Sequence, residues 1–467
     1  MLIKCHNFKT CATILIGAIS LFYSSYSFAQ QKPKLFHDGD RICFVGNSIT
    51  HNGEFHNLIS LFYATRFPNE RLTFFNCGIS GDRASGVLGR MDDDILSHRP
   101  NKVALMIGMN DVNRSLYTEK NRNNPQVEKA KSDALNLYRE KTEEILKIFK
   151  KNNLDIIIQK PTIYDQSAKT TTENLYGVND ALHIAGDHMA LMSKKYNTRL
   201  VDYWTIMNRI NNELQAKDST ATITSLDRVH PGSPGHFVMA YQFLSTLEPN
   251  KYVAKIVIGK NLNKSKAQSI NCSITDLKHD NGQLTFRCLE YSLPFPVTDA
   301  AQSTLAWVPF INDLDQELLK ADVSGNGKFE LLIDGITVGL YTADELRNGI
   351  NLSQNQKTPQ YQQALKVMGI VQRIRTAQVR LRYNKLVEIN DLKDAPANMS
   401  IDQIDAYLKK RLEEKFKGSD YHQKYFNNYV KDKPQQAAIE QEIENLQDSV
   451  YTENHPKEHS YLIKPVK

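Results

Sequence analysis

Four short clusters carry residue types able to break an acyl bond, and each lies beside an apolar run. Gly46-Asn47-Ser48-Ile49-Thr50 directly follows the run Ile42 to Val45. A serine at the carboxyl end of a buried strand is a candidate nucleophile, because the backbone amides of a following helix start lie near any oxyanion on its acyl group. An ordinary helix cap uses the same residues. Asn76-Cys77-Gly78-Ile79-Ser80-Gly81-Asp82 follows Leu72 to Phe75, and Gly81 is positioned to present its amide to that oxyanion. Gly108-Met109-Asn110-Asp111 follows Val103 to Ile107, so the Asn110 side chain is a candidate third donor, with Asp111 supporting the turn. Asp227-Arg228-Val229-His230-Pro231-Gly232 sets a carboxylate three residues before an imidazole, the spacing of a base and its orienting acid. Pro231 disfavours helix at His230 and points to an extended loop. Asp180 and His183 show the same spacing inside a helical pattern, where a solvated or core-edge role is expected, and His236 is expected to serve a helix end.

The elements that must position these residues are legible between Arg41 and about Leu247. Short apolar runs, Ile42 to Val45, Leu72 to Phe75, Val103 to Ile107, Leu154 to Gln159 and Leu200 to Tyr203, read as strands buried on both faces. Helical spacing of apolar residues marks Glu54 to Phe67, Tyr138 to Lys151, Tyr176 to Lys195 and Pro234 to Leu247. The alternation predicts an α/β domain with a parallel sheet covered on both faces, over residues 33–249. Residues 250–345 read as a small antiparallel β-rich domain, with runs at Tyr252 to Ile258, Leu284 to Leu289 and Phe329 to Leu340 separated by Asn-Gly and Asp-Gly turns. Residues 346–467 read as a helical extension in which Val367, Val371, Ile374 and Leu381 form an apolar packing stripe.

Three clusters following three successive strands, and a fourth preceding the last helix of the same domain, form an ordered set that independent turns and caps would not produce. In this order Gly-Asn-Ser, Asn-x-Gly-x-Ser-Gly-Asp, Gly-x-Asn-Asp and Asp-x-x-His-Pro resemble the blocks of the SGNH (GDSL-like) hydrolases, over roughly Lys34 to Thr246. The resemblance implies a flavodoxin-like α/β/α fold, a serine esterase acting through Ser48, Asp227 and His230, and an oxyanion hole of Ser48, Gly81 and Asn110. It implies neither metal nor organic cofactor. Asn47 stands where the family usually has Asp, which removes a charge beside the nucleophile but keeps much of its hydrogen-bonding shape. Segments such as Leu293-Pro294-Phe295-Pro296 resemble extensions of exported carbohydrate acetylesterases from polysaccharide-degrading bacteria, so an acetylated glycan is the expected substrate. A lipase or thioesterase, and a non-catalytic carbohydrate-binding protein on the same fold, are the rival readings.

The N-terminus has Lys4 and Lys9, an apolar run from Ala12 to Tyr23, and small residues ending at Ala29, the layout of a secretory signal. That run is shorter than the roughly 20 residues that span a bilayer. A periplasmic or secreted chain without stable membrane insertion is expected. In the oxidising compartment it would keep Cys43, Cys77, Cys272 and Cys288; a bridge between Cys272 and Cys288 and two separate buried thiols both fit, while Cys43 belongs to the core. The net charge of +6 over 467 residues is small and interspersed, which argues against a nucleic-acid partner.

Overall fold

The computed structural model describes residues 34–248, 250–259 and 268–466. The expected signal segment, with Cys5, Cys11 and the expected junction at Ala29, lies outside them. The first five apolar runs form β1 (Arg41–Gly46), β2 (Thr73–Gly78), β3 (Lys102–Met106), β4 (Asp155–Gln159) and β5 (Arg199–Val201). They pair in parallel in the order β2-β1-β3-β4-β5. This is the doubly wound order in which ligands bind at the carboxyl edge, where the winding reverses beside β1 and β3.

Helices α1 (Ser48–Asn52), α2 (Glu54–Arg66), α3 (Ala84–Gly89), α4 (Pro125–Lys151), α5 (Val178–Tyr196), α6 (Tyr203–Gln215) and α7 (Ser233–Leu247) connect the strands. Alternate strand residues face opposite ways. Ile42, Phe44 and Met106 therefore pack with Phe62 of α2, Met207 of α6 and Phe237 of α7, whereas Cys43, Val45 and Leu105 pack with Val87 of α3, Phe149 of α4 and Met189 of α5. Cys43 is buried as expected. Helix α4 begins well before the expected Tyr138: Asn124 caps it and Pro125 opens it, and Val127, Ala130, Ala134 and Leu135 form a half-buried face on its otherwise exposed first half. The expected strand through Tyr203 stops at Val201, since Asp202 accepts the Thr205 amide at 2.9 Å and starts α6.

Beyond residue 250 the chain forms β6 (Tyr252–Ile258), β7 (Gln268–Ile270), β8 (Cys272–Asp280), β9 (Gln283–Glu290), α8 (Phe310–Leu314), β10 (Gln316–Ala321), β11 (Lys328–Ile333), β12 (Ile336–Thr342), α9 (Ala343–Asn348) and β13 (Ile350–Asn351). The expected run Phe329 to Leu340 is a hairpin folded at Asp334-Gly335. The β-rich part is not wholly antiparallel: β6 and β10 pair in parallel, which the long crossover between them permits. The helical stretch ends in a strand, β14 (Glu458–Pro465), inserted between β11 and β9, with Tyr461 and Ile463 buried and Glu458 and Ser460 outward. All four described cysteines are free thiols.

Before that strand come α10 (Pro359–Asn390), α11 (Ile401–Lys415), α12 (Asp420–Asp432) and α13 (Gln436–Glu453). Thr358 caps α10 and Pro359 opens it. Val367 and Val371 enter the core shared with α2 and α7 and Ile374 packs against it, whereas Leu381, the fourth residue of the expected stripe, is half-buried outside that core. Among the described residues no helix is long and apolar enough to cross a membrane.

The β-rich part buries acid. Glu290, bonded by Tyr461 Oη at 2.9 Å and Gln360 Nε2 at 3.2 Å, is pushed up to about 7 by burial. Glu317 is raised further by burial and by the neighbouring Glu290 and Asp315 charges. The folded chain therefore holds protons that the unfolded chain releases, and stability present in acid is lost as pH rises toward 7. Each retained proton contributes up to about 1.4 kcal/mol per pH unit. Thermal melts between pH 5 and 7.5 should fall less steeply for Glu290→Gln than for the wild type; equal slopes would show that Glu290 is already ionised.

Candidate active site

The turn between β1 and α1 is built around Ser48. Asn47 caps α1 by accepting the Ile49 amide at 3.1 Å and is itself buried, so its neutral amide supplies the cap without burying a carboxylate. The second cluster approaches closely at Gly78, where a Cβ would stand 2.2 Å from the His51 nitrogen. Gly81 takes φ +82°, a left-handed conformation that favours glycine, and turns the loop back over the strand ends.

The third cluster grips the second. Asn110 Nδ2 donates to the Asp82 carbonyl at 2.9 Å, which leaves its other hydrogen free. Asp111 reaches past its own turn and accepts the Ala84 amide at 2.8 Å, and burial pushes its carboxyl up to about 6.

The fourth cluster folds as an irregular loop in which buried Arg228, at φ +66°, donates to the carbonyls of Asp165, Ala168 and Thr172. That anchor fixes its neighbours. His230 Nε2 lies 2.7 Å from Ser48 Oγ, and His230 Nδ1 lies 2.5 Å from Asp227 Oδ2. Asp227 Oδ1 accepts the amides of Val229 and His230, each at 3.0 Å, and the Ser225 hydroxyl at 2.8 Å. Partial burial works to raise the Asp227 pKa, but these donors and the His230 ring outweigh it and hold the carboxyl well below the usual range. The arrangement fixes which imidazole nitrogen faces the serine.

Ser48, Gly81, Asn110 and His230 line one cavity of about 640 Å³; Asp227 stands behind His230. The opposite wall comes from the far end of the chain, through Val379 and Tyr383 of α10 and Tyr421 and Asn428 of α12. Sequence reasoning missed this wall. It also missed His51, whose Nδ1 lies 3.2 Å from the Ser80 amide and accepts its hydrogen, placing the ring proton on Nε2; the ring packs in a T-shaped pair with Tyr383, centroids 4.6 Å apart. Burial, reinforced by the Arg382 and Arg90 charges, lowers His51 to about 3, so it stays neutral and holds the residue next to Gly81.

Behind His51, Asp94 takes a fork from Arg382 at 2.7 Å on each oxygen and a bond from Arg90 at 2.6 Å. Arg382 also donates to the Gly78 carbonyl at 3.0 Å. Burial opposes the Asp94 charge, but the two guanidinium groups hold its carboxyl down to about 2. His236 is buried in the first turn of α7 beside the cavity, lowered to about 3 by burial and then by Arg375. His183 sits half exposed, 4.0 Å from Asp187 and outside the cavity. Among the described residues no three acidic, His or Cys side chains converge as metal ligands.

Comparison with known proteins adds independent findings. Residues 44–237 match the model of the GDSL-like Lipase/Acylhydrolase family. The solved structure of a gut microbial diltiazem-metabolizing enzyme aligns over 93% of this chain and 100% of its own, at 30% identity and a TM-score of 0.84. An acetylxylan esterase from Geobacillus stearothermophilus is 24% identical over 225 residues, 44% of this chain and 93% of its own. A crystal structure of an acetylxylan esterase from that organism aligns over 46% of this chain and 96% of its own, at 22% identity and a TM-score of 0.37.

Proposed function

This chain belongs to the GDSL-like lipase/acylhydrolase family, an ester-hydrolysing family, and from that premise we propose that it removes O-acetyl groups from carbohydrate through an acyl-enzyme on Ser48. The observation that carries this reading is the unbroken chain of hydrogen bonds Ser48–His230–Asp227 opening into a cavity shared with Gly81 and Asn110. His230 takes the Ser48 proton as Oγ attacks the ester carbonyl, then returns it to the departing alcohol. Water activated by the same imidazole releases the acid. The amides of Ser48 and Gly81 and the Asn110 side chain hold the oxyanion, and losing one such donor typically costs ~10²–10³ in turnover.

Three observations favour a short acyl group on a polar alcohol. Among the lining residues only Ile49, Val379 and Pro231 are aliphatic, which gives a long alkyl chain few aliphatic side chains to pack against. Tyr383 and Tyr421 line the cavity, and aromatic side chains with a polar end suit a sugar. The acetylxylan esterase likeness points the same way. The N-terminal layout supports an exported site of action.

The test is a series of p-nitrophenyl esters from acetate to octanoate, with acetate release from acetylated xylooligosaccharides and from diltiazem, itself an acetate ester. Rates should fall steeply beyond acetate and the saccharides should be deacetylated. Rates rising toward octanoate would favour the lipase or thioesterase reading, and glycan binding without any cleavage would favour a binding protein.

A further inference from the structure

Three arginines line the cavity that holds Ser48, and no aspartate or glutamate does. Two of the three are already matched. Arg375 bonds the Asn52 carbonyl at 3.0 Å and side chain at 2.7 Å and lies 3.5 Å from Glu54, while Arg380 forks onto Asp432 at 3.1 and 2.8 Å. Arg114 differs: among the described residues its guanidinium makes no ion pair and no hydrogen bond, although the residue is only partly exposed. Burial lowers its pKa, and the Asp227 charge works against this.

A partly desolvated guanidinium without a partner is unfavourable unless something binds it. Its planar fork matches a carboxylate, whose two oxygens accept parallel N–H bonds. Placement narrows the ligand. Arg114 opens the short helical turn Arg114–Tyr117 that continues the loop carrying Asn110, so it is tied to the oxyanion site by four residues of backbone. A carboxylate on Arg114 belongs to the same sugar as the ester, or to its neighbour.

Resting on the esterase reading above, we propose that the preferred substrate is an O-acetylated uronic acid or a glycan containing one, and that Arg114 is the specificity-determining residue that receives its carboxylate. Neutral acetylated sugars fit the same cavity but leave the guanidinium unmatched. Discrimination should therefore reside chiefly in KM.

The experiment compares kcat/KM for O-acetylated methyl glucuronide with that for O-acetylated methyl glucoside, which has a hydroxymethyl group in place of the carboxylate. The wild type should favour the uronate on the order of 10- to 100-fold, the range for a hydrogen bond to a charged group. Arg114→Gln should collapse that ratio toward one, and Arg114→Lys should keep part of it. A wild-type ratio near one overturns the proposal while leaving the esterase standing. Equal losses on both sugars in Arg114→Gln also overturn it, by showing that Arg114 acts through Asp227. No acetate from either sugar, nor from p-nitrophenyl acetate, overturns both readings. Urea melts of both variants check that the chain remains folded.

Discussion

Replacing Ser48 by alanine should lower kcat for p-nitrophenyl acetate by about 10⁶-fold, the size of loss seen when a triad nucleophile is removed. The residual rate is what the oxyanion donors supply to direct attack by water. The substitution deletes one hydroxyl whose partner is His230 Nε2, and the ring stays tied to Asp227, so folding should be intact. Two readouts make the result specific. A fluorophosphonate probe should label the wild type at Ser48 and leave Ser48→Ala unlabelled, and both proteins should melt within a degree or two of each other. Full hydrolysis by a folded Ser48→Ala variant would remove Ser48 from the mechanism.

The second large effect is expected far from the serine in sequence. Arg382→Ala should destabilise the fold by about 3–5 kcal/mol, the cost of breaking a buried ion pair from one side. Asp94 would keep only Arg90, and the Gly78 carbonyl would lose its side-chain donor. Surviving folded protein should also turn over more slowly, because Gly78 begins the loop that carries Ser80 and Gly81. Arg382→Lys restores charge but not the fork, so it should recover only part of the stability. Urea denaturation of the three proteins, with kcat and KM measured well below each midpoint, checks both claims. A loss under about 1 kcal/mol for Arg382→Ala would mean that Asp94 is adequately served by Arg90 alone.

These two residues show where sequence was informative and where it was silent. Ser48, Gly81 and Asn110 were readable because each follows an apolar strand directly, and parallel strands place all their carboxyl ends on one edge. His230 was readable because Pro231 excluded helix and Asp227 stood three residues away. His51 was hidden by its ordinary position in a short helix after the serine; only the fold presses the Ser80 amide onto it. Arg382 had no signal at all, since 304 residues separate it from the Gly78 carbonyl it holds. The final strand was missed for a related reason. Its alternation of buried and exposed residues follows a long helical stretch, and its partners β9 and β11 lie far upstream.

By itself the sequence determined the parallel sheet, the family, and the order in which the candidate catalytic residues arrive at the sheet edge, because strand periodicity and strand-end chemistry are local properties. Tertiary structure alone decided that α10 and α12 wall the cavity, that an Arg–Asp–Arg cluster stands behind His51, and that Arg114 has no partner among the described residues. The physical reason is that apolar periodicity reports which face of a helix is covered but not by what. A polar side chain on the remaining face acquires meaning only from the group the folded chain sets against it.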